Sequence, residues 1–468
     1  MPYPNKKWLI VFMLLIGICL APNRSNALQI RIQGDKLTLR AEQVFLQDIL
    51  QRFVGFGVHV RIDPEINPRV SASFENRDLQ KGLASILKSL DHVLIWESIQ
   101  SPFGPLPKLI EVQIFEPNKK GFMQPFGSAT IRSIARNPKD GSLFVKGEIL
   151  LKFRPNMEIS EFKRLLDQIG GVIIDSNNDL GIYKIRLPEN TDIPGLLEMI
   201  SRFPGIEKSE PNYVAPVPIP TKTKNFKESL AEISTERVSG DKVPVAVLDT
   251  GLAPDAGIDE FIIASLDALD PDEPITDSLG HGTQMALIAA GVIKPQGVKA
   301  EFDTHIPVIP IRAFDDNGFI SNFDIMRSID FAATNGARVL SLSWGSGFKS
   351  EFMEKAMDYA SARGIVIVAS GGNEPTGQDV YPAAYPSVIG VGALGPDGKS
   401  WEKSNYGDFI MYYAPGFATL PVGYKGDPGG YAGTSISAAF VANVIANYLT
   451  QNPGAKKDEI LKALDSIF

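Results

Sequence analysis

Short apolar strand-like segments in the second half of this chain constrain its fold more than any other feature. Val243 to Asp249 (VPVAVLD) and Gly364 to Ser370 (GIVIVAS) lack the polar alternation of a half-exposed sheet. Strands that read this way are covered on both faces, which is the habit of parallel sheets. Strand patterns at 243–249, 307–312, 338–343, 364–369 and 388–393 alternate with helical patterns at 281–293, 321–335, 350–362, 434–450 and 457–467. The expected class is therefore α/β, a mostly parallel sheet with helices on both faces, whose functional groups lie beyond the carboxyl ends of the strands.

The chain of 468 residues, 44% of them apolar, is long enough for several cores. Its net charge of -8 argues against a generic nucleic-acid binder, whose footprint is a basic patch. Residues 1–27 follow signal-peptide order: Lys6 and Lys7, an apolar run from Trp8 to Leu20, Pro22, then Ser25-Asn26-Ala27. That run makes a helix of roughly 20 Å, short of a hydrocarbon core of roughly 30 Å, so cleavage after Ala27 and export are expected. The only cysteine, Cys19, falls inside the leader, which leaves the mature chain no thiol for a disulfide, a metal site or a nucleophile.

Two small α/β (α+β) units precede the sheet. From 28 to 115, alternating strands lead twice into amphipathic helices, the first with Leu46, Ile49, Leu50 and Phe53 at i, i+3, i+4 and i+7. Its stripe in the second helix is Leu79, Leu83, Ile86, Leu87 and Leu90. Residues 116–142, rich in Pro, Gly, Lys and Asn, read as a linker. The order of elements over 143–215 is that of a ferredoxin-like βαββαβ unit. A second linker, 216–236, leads to the sheet domain at 237–468; its Pro-rich 215–220 and Lys-rich 222–227 read as an exposed site of cutting.

Four residues at the edge of the expected sheet carry candidate chemistry. Asp249 ends an apolar strand, although Asp before Thr-Gly is also ordinary turn chemistry. His281, between two glycines at a helix start, leaves both ring nitrogens accessible as a proton shuttle requires. It has no second histidine or cysteine at ligand spacing, so no metal site is expected. Asn373 follows the strand of 364–369 and reads either as a turn residue or as an oxyanion donor beside the N–H of Ser435. Ser435 opens an apolar helix, where serine is a common cap as well as a possible nucleophile.

Taken in order, AVLDTGLAP, GHGTQMALIAAG, ASGGNEP and GTSISAAFVA resemble the four signatures of the subtilisin-like serine proteases. The resemblance implies an Asp249-His281-Ser435 triad, an acyl-enzyme intermediate and Asn373 as oxyanion donor. It also implies that Ser341, Leu342, Ser343, Trp344 and Gly345, with Ala369, Ser370 and Gly371, flank the specificity pocket, Trp344 either narrowing it or packing away. Ile436, Ser437 and Ala439 depart from the family's pattern after the serine, as Leu287 does in the histidine helix. EILLKF and FPGIEKSEPNYV are similar to the family's inhibitory propeptide, which implies a self-processing zymogen whose tail after Tyr213 occupies the cleft. LTLRAEQVFLQDILQRF, VHVRIDPEI and VSASFENRDLQKGLASIL look like the short N-terminal domain of secretins and TonB-dependent receptors, which implies docking to an envelope or secretion complex.

The expected partners are thus a peptide or protein substrate, the chain's own propeptide and an envelope protein, in a periplasmic, outer-envelope or extracellular setting. No cofactor is required for catalysis. The acidic stretch Asp267, Asp270, Asp272 and Glu273 invites calcium but lacks regular ligand spacing. The rival reading, of a different class, is a catalytically silent envelope protein that works by docking through residues 28–115.

Overall fold

The computed structural model of the chain describes residues 28–33, 36–101, 104–116, 123–126, 132–155, 157–188, 190–223, 241–271, 273–298, 305–421 and 428–468. The expected leader and Cys19 lie outside them. Among the described residues no helix is long and apolar enough to cross a membrane.

The first unit runs β1 (Leu28–Gln33), β2 (Lys36–Phe45), α1 (Leu46–Gly55), β3 (His59–Ile62), β4 (Arg69–Asp78), α2 (Leu79–Ile86), β5 (Asp91–Ser101), β6 (Gly104–Phe115) and β7 (Gln124–Pro125). It forms two sheets, β1-β2-β4 and β5-β6-β3-β7. Leu46, Ile49, Leu50 and Phe53 of α1 are fully buried in its core, as their spacing requires. The helix of the second stripe stops at Ile86, and Leu87 and Leu90 close it as a turn.

The second unit comprises β8 (Ile134–Arg136), β9 (Leu143–Phe153), α3 (Ile159–Ile169), β10 (Val172–Asn177), β11 (Ile182–Arg186), α4 (Ile193–Ile200) and β12 (Ile206–Pro216). The sheet order β10-β11-β9-β12 is the ferredoxin-like arrangement that the element order implies. Part of the stretch expected as linker is structured, since β7 pairs with β3 and β8 adds to β9. There Arg132 also reaches across to Asp324 at 2.5 Å, so its charge is spent on a buried partner instead of on solvent.

The remainder begins with β13 (Thr221–Lys222), β14 (Val245–Asp249), β15 (Leu266–Asp267), α5 (His281–Ala289), β16 (Val308–Arg312), β17 (Phe319–Ser321), α6 (Asn322–Thr334) and β18 (Val339–Leu342). It continues through α7 (Glu351–Ala362), β19 (Val366–Ser370), β20 (Val388–Leu394), β21 (Ile410–Pro415), β22 (Phe417–Leu420), β23 (Gly429–Ala432), α8 (Thr434–Gln451) and α9 (Lys457–Asp465). Seven strands in the order β15-β16-β14-β18-β19-β20-β21 make one parallel sheet. One apolar cluster joins a face of it to α5, α8 and α9, and another joins the opposite face to α6 and α7. Both faces are therefore covered, which is why VPVAVLD and GIVIVAS carry no alternation. Leu287 is fully buried under the first face, where its larger side chain packs in the core.

The second unit is built onto this domain. Strand β12 passes from β9 to β17, so Val214 to Pro216 extend an edge of the third unit. Glu210 accepts from Ser350 Oγ (2.6 Å) and Glu351 N (2.9 Å) at the start of α7, and Asn212 Oδ1 accepts from Phe323 N (3.2 Å) in the first turn of α6. Helix starts leave N–H groups without intrahelical acceptors, and these side chains fill two of them. The first unit touches the third through His59 and Asp270, 3.6 Å apart.

Candidate active site

Asp249 ends β14, between β16 and β18, at the carboxyl edge of the parallel sheet. Its Oδ1 accepts from His281 Nδ1 at 2.6 Å and from Thr250 N at 2.8 Å. Both residues are 1% exposed. Burial disfavours the imidazolium, but the charge of Asp249, the hydrogen bond to it and the charge of Asp277 outweigh burial and hold His281 above its ordinary value. With Nδ1 committed to the carboxylate, Nε2 is the nitrogen left for chemistry.

A second acid, which sequence reading passed over, locks these two residues together. Asp277 Oδ1 accepts from Thr250 Oγ1 (2.8 Å), Leu279 N (3.1 Å) and Gly280 N (2.7 Å), and its Oδ2 from Thr283 N (2.8 Å) and Thr283 Oγ1 (2.7 Å). Gly282 N then donates to Thr250 Oγ1 at 2.7 Å. One carboxylate thus caps the histidine helix and ties it to the loop after the catalytic strand. A Cβ on Gly282 would strike the backbone of Gly251, so both glycines of these motifs serve a close approach of chain to chain. The only sequence signal for Asp277 was an acid just ahead of a helix start.

Ser435 lies in the first turn of α8, 5% exposed. Its Oγ donates to Ser343 O at 3.1 Å, and Ser343 Oγ donates back to Ser435 O at 3.2 Å. Attack on a carbonyl requires the hydroxyl to turn from that acceptor toward the imidazole, which lines the same small pocket. Asn373 Oδ1 accepts from Thr434 N and Thr434 Oγ1, both at 2.9 Å. Because an N–H donor can meet only the amide oxygen, Nδ2 is the end of Asn373 presented to the pocket it shares with His281 and Ser435. Among the departures after the serine, Ile436 packs in the core and Ser437 donates to Ala414 O at 2.8 Å, so neither disturbs the first turn.

Of the residues expected to flank the specificity pocket, Ser341 and Leu342 are in β18 and Ala369 and Ser370 in β19, neighbours in the sheet. Ser343 reaches Ser435, while Gly345 and Gly371 continue outward from the two strands. Trp344 packs: it is 1% exposed and its Nε1 donates to Leu248 O at 3.0 Å.

The pocket is walled on one side by the chain itself. Pro218 and Pro220 line it with His281, Asn373 and Ser435. Upstream, Val217 N donates to Gly318 O at 2.8 Å; downstream, Thr221 and Lys222 pair with β23, and Thr223 N donates to Gly430 O at 2.9 Å. Residues expected as an exposed linker are thus a strap paired on both sides of the cleft, because each rim offers an unfilled strand edge.

Around the acidic stretch, Asp267 Oδ2 meets Arg312 Nη1 at 2.5 Å and its Oδ1 accepts from Leu269 N and Asp270 N. Asp272 lies outside the described residues. Among the described residues no group of three His, Cys, Asp or Glu side chains could hold a metal ion.

Comparison with known proteins bears on the same stretches. The model of the Subtilase family matches residues 240–465, and that of the Fervidolysin N-terminal prodomain matches residues 132–212. The thermophilic serine proteinase of Bacillus sp. (strain AK1) is 29% identical over 336 residues, 69% of this chain and 82% of that protein. Subtilisin Savinase of Lederbergia lenta is 32% identical over 221 residues, 46% of this chain and 79% of that protein. Fervidolysin of Fervidobacterium pennivorans is 33% identical over 267 residues, 49% of this chain but 38% of fervidolysin. Its crystal structure, described as that of a keratinolytic enzyme related to subtilisin, superimposes with a TM-score of 0.56 at 25% identity, over 73% of this chain and 60% of that one. With a buried carboxylate–imidazole pair, a serine at a helix start and a strap of its own chain lining their pocket, this chain belongs to the subtilase family of serine endopeptidases.

Proposed function

We propose that this subtilase is an exported zymogen that processes itself and then hydrolyses peptide bonds through Asp249, His281 and Ser435. The observation that carries the reading is the shared pocket: His281 backed by Asp249, Ser435 and Asn373 all face the strand of chain that crosses it. Ser435 Oγ attacks the carbonyl while His281 Nε2 takes its proton, and Asp249 stabilises the imidazolium. The negative oxygen is met by Asn373 Nδ2 and by Ser435 N–H, one of the first-turn donors of α8 that lack an intrahelical acceptor. His281 returns its proton to the leaving amine, and water then releases the acyl group from Ser435.

The division proposed is a leader at 1–27, a docking unit at 28–115, an inhibitory prodomain at 143–215 and the protease at 237–468, with processing between 214 and 242. We also propose, from the resemblance of its sequence motifs alone to secretin-type N-terminal domains, that the unit at 28–115 docks to an envelope or secretion partner. Ser435→Ala should accumulate as the uncut chain and lose labelling by a serine-reactive fluorophosphonate. Cutting of that variant at the same place, when expressed alone, would exclude self-processing.

A further inference from the structure

The outer edge of the second unit's sheet carries contacts that neither the triad nor the strap explains. That sheet joins the third unit through β12 at one edge, and β10 is the opposite edge. On β10, Asp175 pairs with Arg327 Nη2 of α6, while Arg327 Nη1 donates to Ala268 O at 2.8 Å. This pair marks a seam between the second and third units, remote in the sheet order from the strap.

The first unit sits across that seam. Its β5 approaches β10 without joining the sheet. In the turn after α1, a Cβ on Gly57 would stand 3.9 Å from Ile174 Cβ, and Ile174 is buried. Arg31 of β1 lies over the end of α3, its Nη2 3.6 Å from where a Cβ on Gly170 would stand, so a cation meets the negative end of the helix dipole. These three contacts grip the second unit, while His59 facing Asp270 at 3.6 Å grips the third.

The grip is built to be broken. A cavity of about 1260 Å³ opens between the three units, with Lys108 of β6, Asp175 and Arg327 among its walls, so the contacts lie around its rim. Burial pushes the Lys108 ammonium below its usual range, and Asp175, the acid that opposes this, is already paired with Arg327. A charge desolvated beside a carboxylate that is already spent makes a contact weaker, not tighter. The second unit, by contrast, meets the third through a shared strand edge, the Arg132–Asp324 pair and two capped helices.

We infer that the first unit is a releasable clasp on the zymogen, seated on prodomain and protease at once and adding to the prodomain's hold for as long as it stays seated. The inference rests on the zymogen reading. A cut between 214 and 242 leaves the first and second units as one fragment, so two grips act through one tether, and the weaker still slows departure of the stronger. A partner that binds the face now turned to the seam selects the unseated form and thereby speeds activation.

The test follows the lag before peptidase activity appears in the full-length chain. Gly57→Cys with Ile174→Cys puts two thiols at the separation of bridged Cβ atoms, roughly 3.5 to 4.5 Å. The only native cysteine, Cys19, lies in the expected leader. The oxidised form should bridge and should show a lag at least about fivefold longer than the reduced form of the same variant, since fixing the clasp in place removes the cost of seating it. Comparing two redox forms of one protein cancels any strain at Gly57, whose φ is +77°. In the opposite direction, a site-specific cleavage sequence inserted at 117–122 and then cut should shorten the lag by about tenfold. Arg31→Glu, which sets an anion against the end of α3, should shorten it about two- to fivefold, with the final activity unchanged. Thiols that stay free under oxidation would overturn the inference, as would a bridged form whose lag equals the reduced one. So would an unchanged lag after the linker is cut. A native chain that never gains activity or fluorophosphonate labelling would instead overturn the zymogen reading beneath it.

Discussion

The Asp249–His281 pair and the strap from Ala215 to Thr223 meet at one pocket, but they are held in opposite ways. The pair is sealed: each partner is 1% exposed, and Asp277 knits their two loops together through five hydrogen bonds to Thr250, Leu279, Gly280 and Thr283. The strap is held by short backbone ladders on β17 and β23, and β12 just ahead of it by the Glu210 and Asn212 side chains that cap α7 and α6. Ladders on edge strands can open without disturbing a core, whereas a buried charge pair cannot lose a partner cheaply. The molecule therefore keeps its catalytic geometry permanent and its inhibitor detachable.

The comparison breaks first at Asn373. Asn373→Ala should lower kcat by about 10² to 10³, the scale known for oxyanion donors in this enzyme family, with KM for peptide anilides nearly unchanged. An equal rise in KM would instead assign Asn373 to substrate binding.

On the side of the strap, Pro218 and Pro220 remove two of the three N–H groups over the pocket, and a substrate bound as an added strand uses those groups. Pro218→Ala with Pro220→Ala should make the strap cleavable, and new termini between 218 and 223 should appear at least about tenfold faster, as read by mass spectrometry of the full chain. Unchanged products would mean that the ladders alone protect it.

Asp277→Asn sharpens the other side. Asparagine cannot accept all five donors, so kcat should fall by about tenfold with KM little changed. The sign of the pH effect follows from the raised His281: activity needs the neutral imidazole and is lost as pH falls through its pKa, above the ordinary value near about 6.5. Removing the Asp277 charge lowers that pKa, so the acid limb of kcat should move to lower pH. A limb that stays in place would reduce Asp277 to a helix cap. The smallest effect is expected at Glu210→Ala, which loses two bonds to the start of α7 and should weaken prodomain docking by about 1 to 2 kcal/mol, seen as a shorter lag before activity appears.

Much of this was legible in the residues. Apolar strands without alternation required a sheet covered on both faces, and the turn-forming contexts of Asp249, His281, Asn373 and Ser435 put them at strand ends or helix starts. The stripe Leu46-Ile49-Leu50-Phe53 identified its own buried face. Asp277 was not legible, because an acid before a helix is ordinary capping chemistry until Thr250 is seen beside it. The strap from Ala215 to Thr223 read as solvent-exposed linker because its composition is that of a linker, and only the strand edges waiting on either side give it structure.

Sequence alone determined the class of fold, the order of its elements and which residues are candidates for the chemistry, because hydrophobic periodicity and motif spacing are local properties of the chain. Tertiary structure decided which acid locks the histidine helix and which strand edges hold the tail across the cleft. Each of those depends on distances between residues far apart in the chain, and such distances are fixed only when the sheet, helices and strap close on one another.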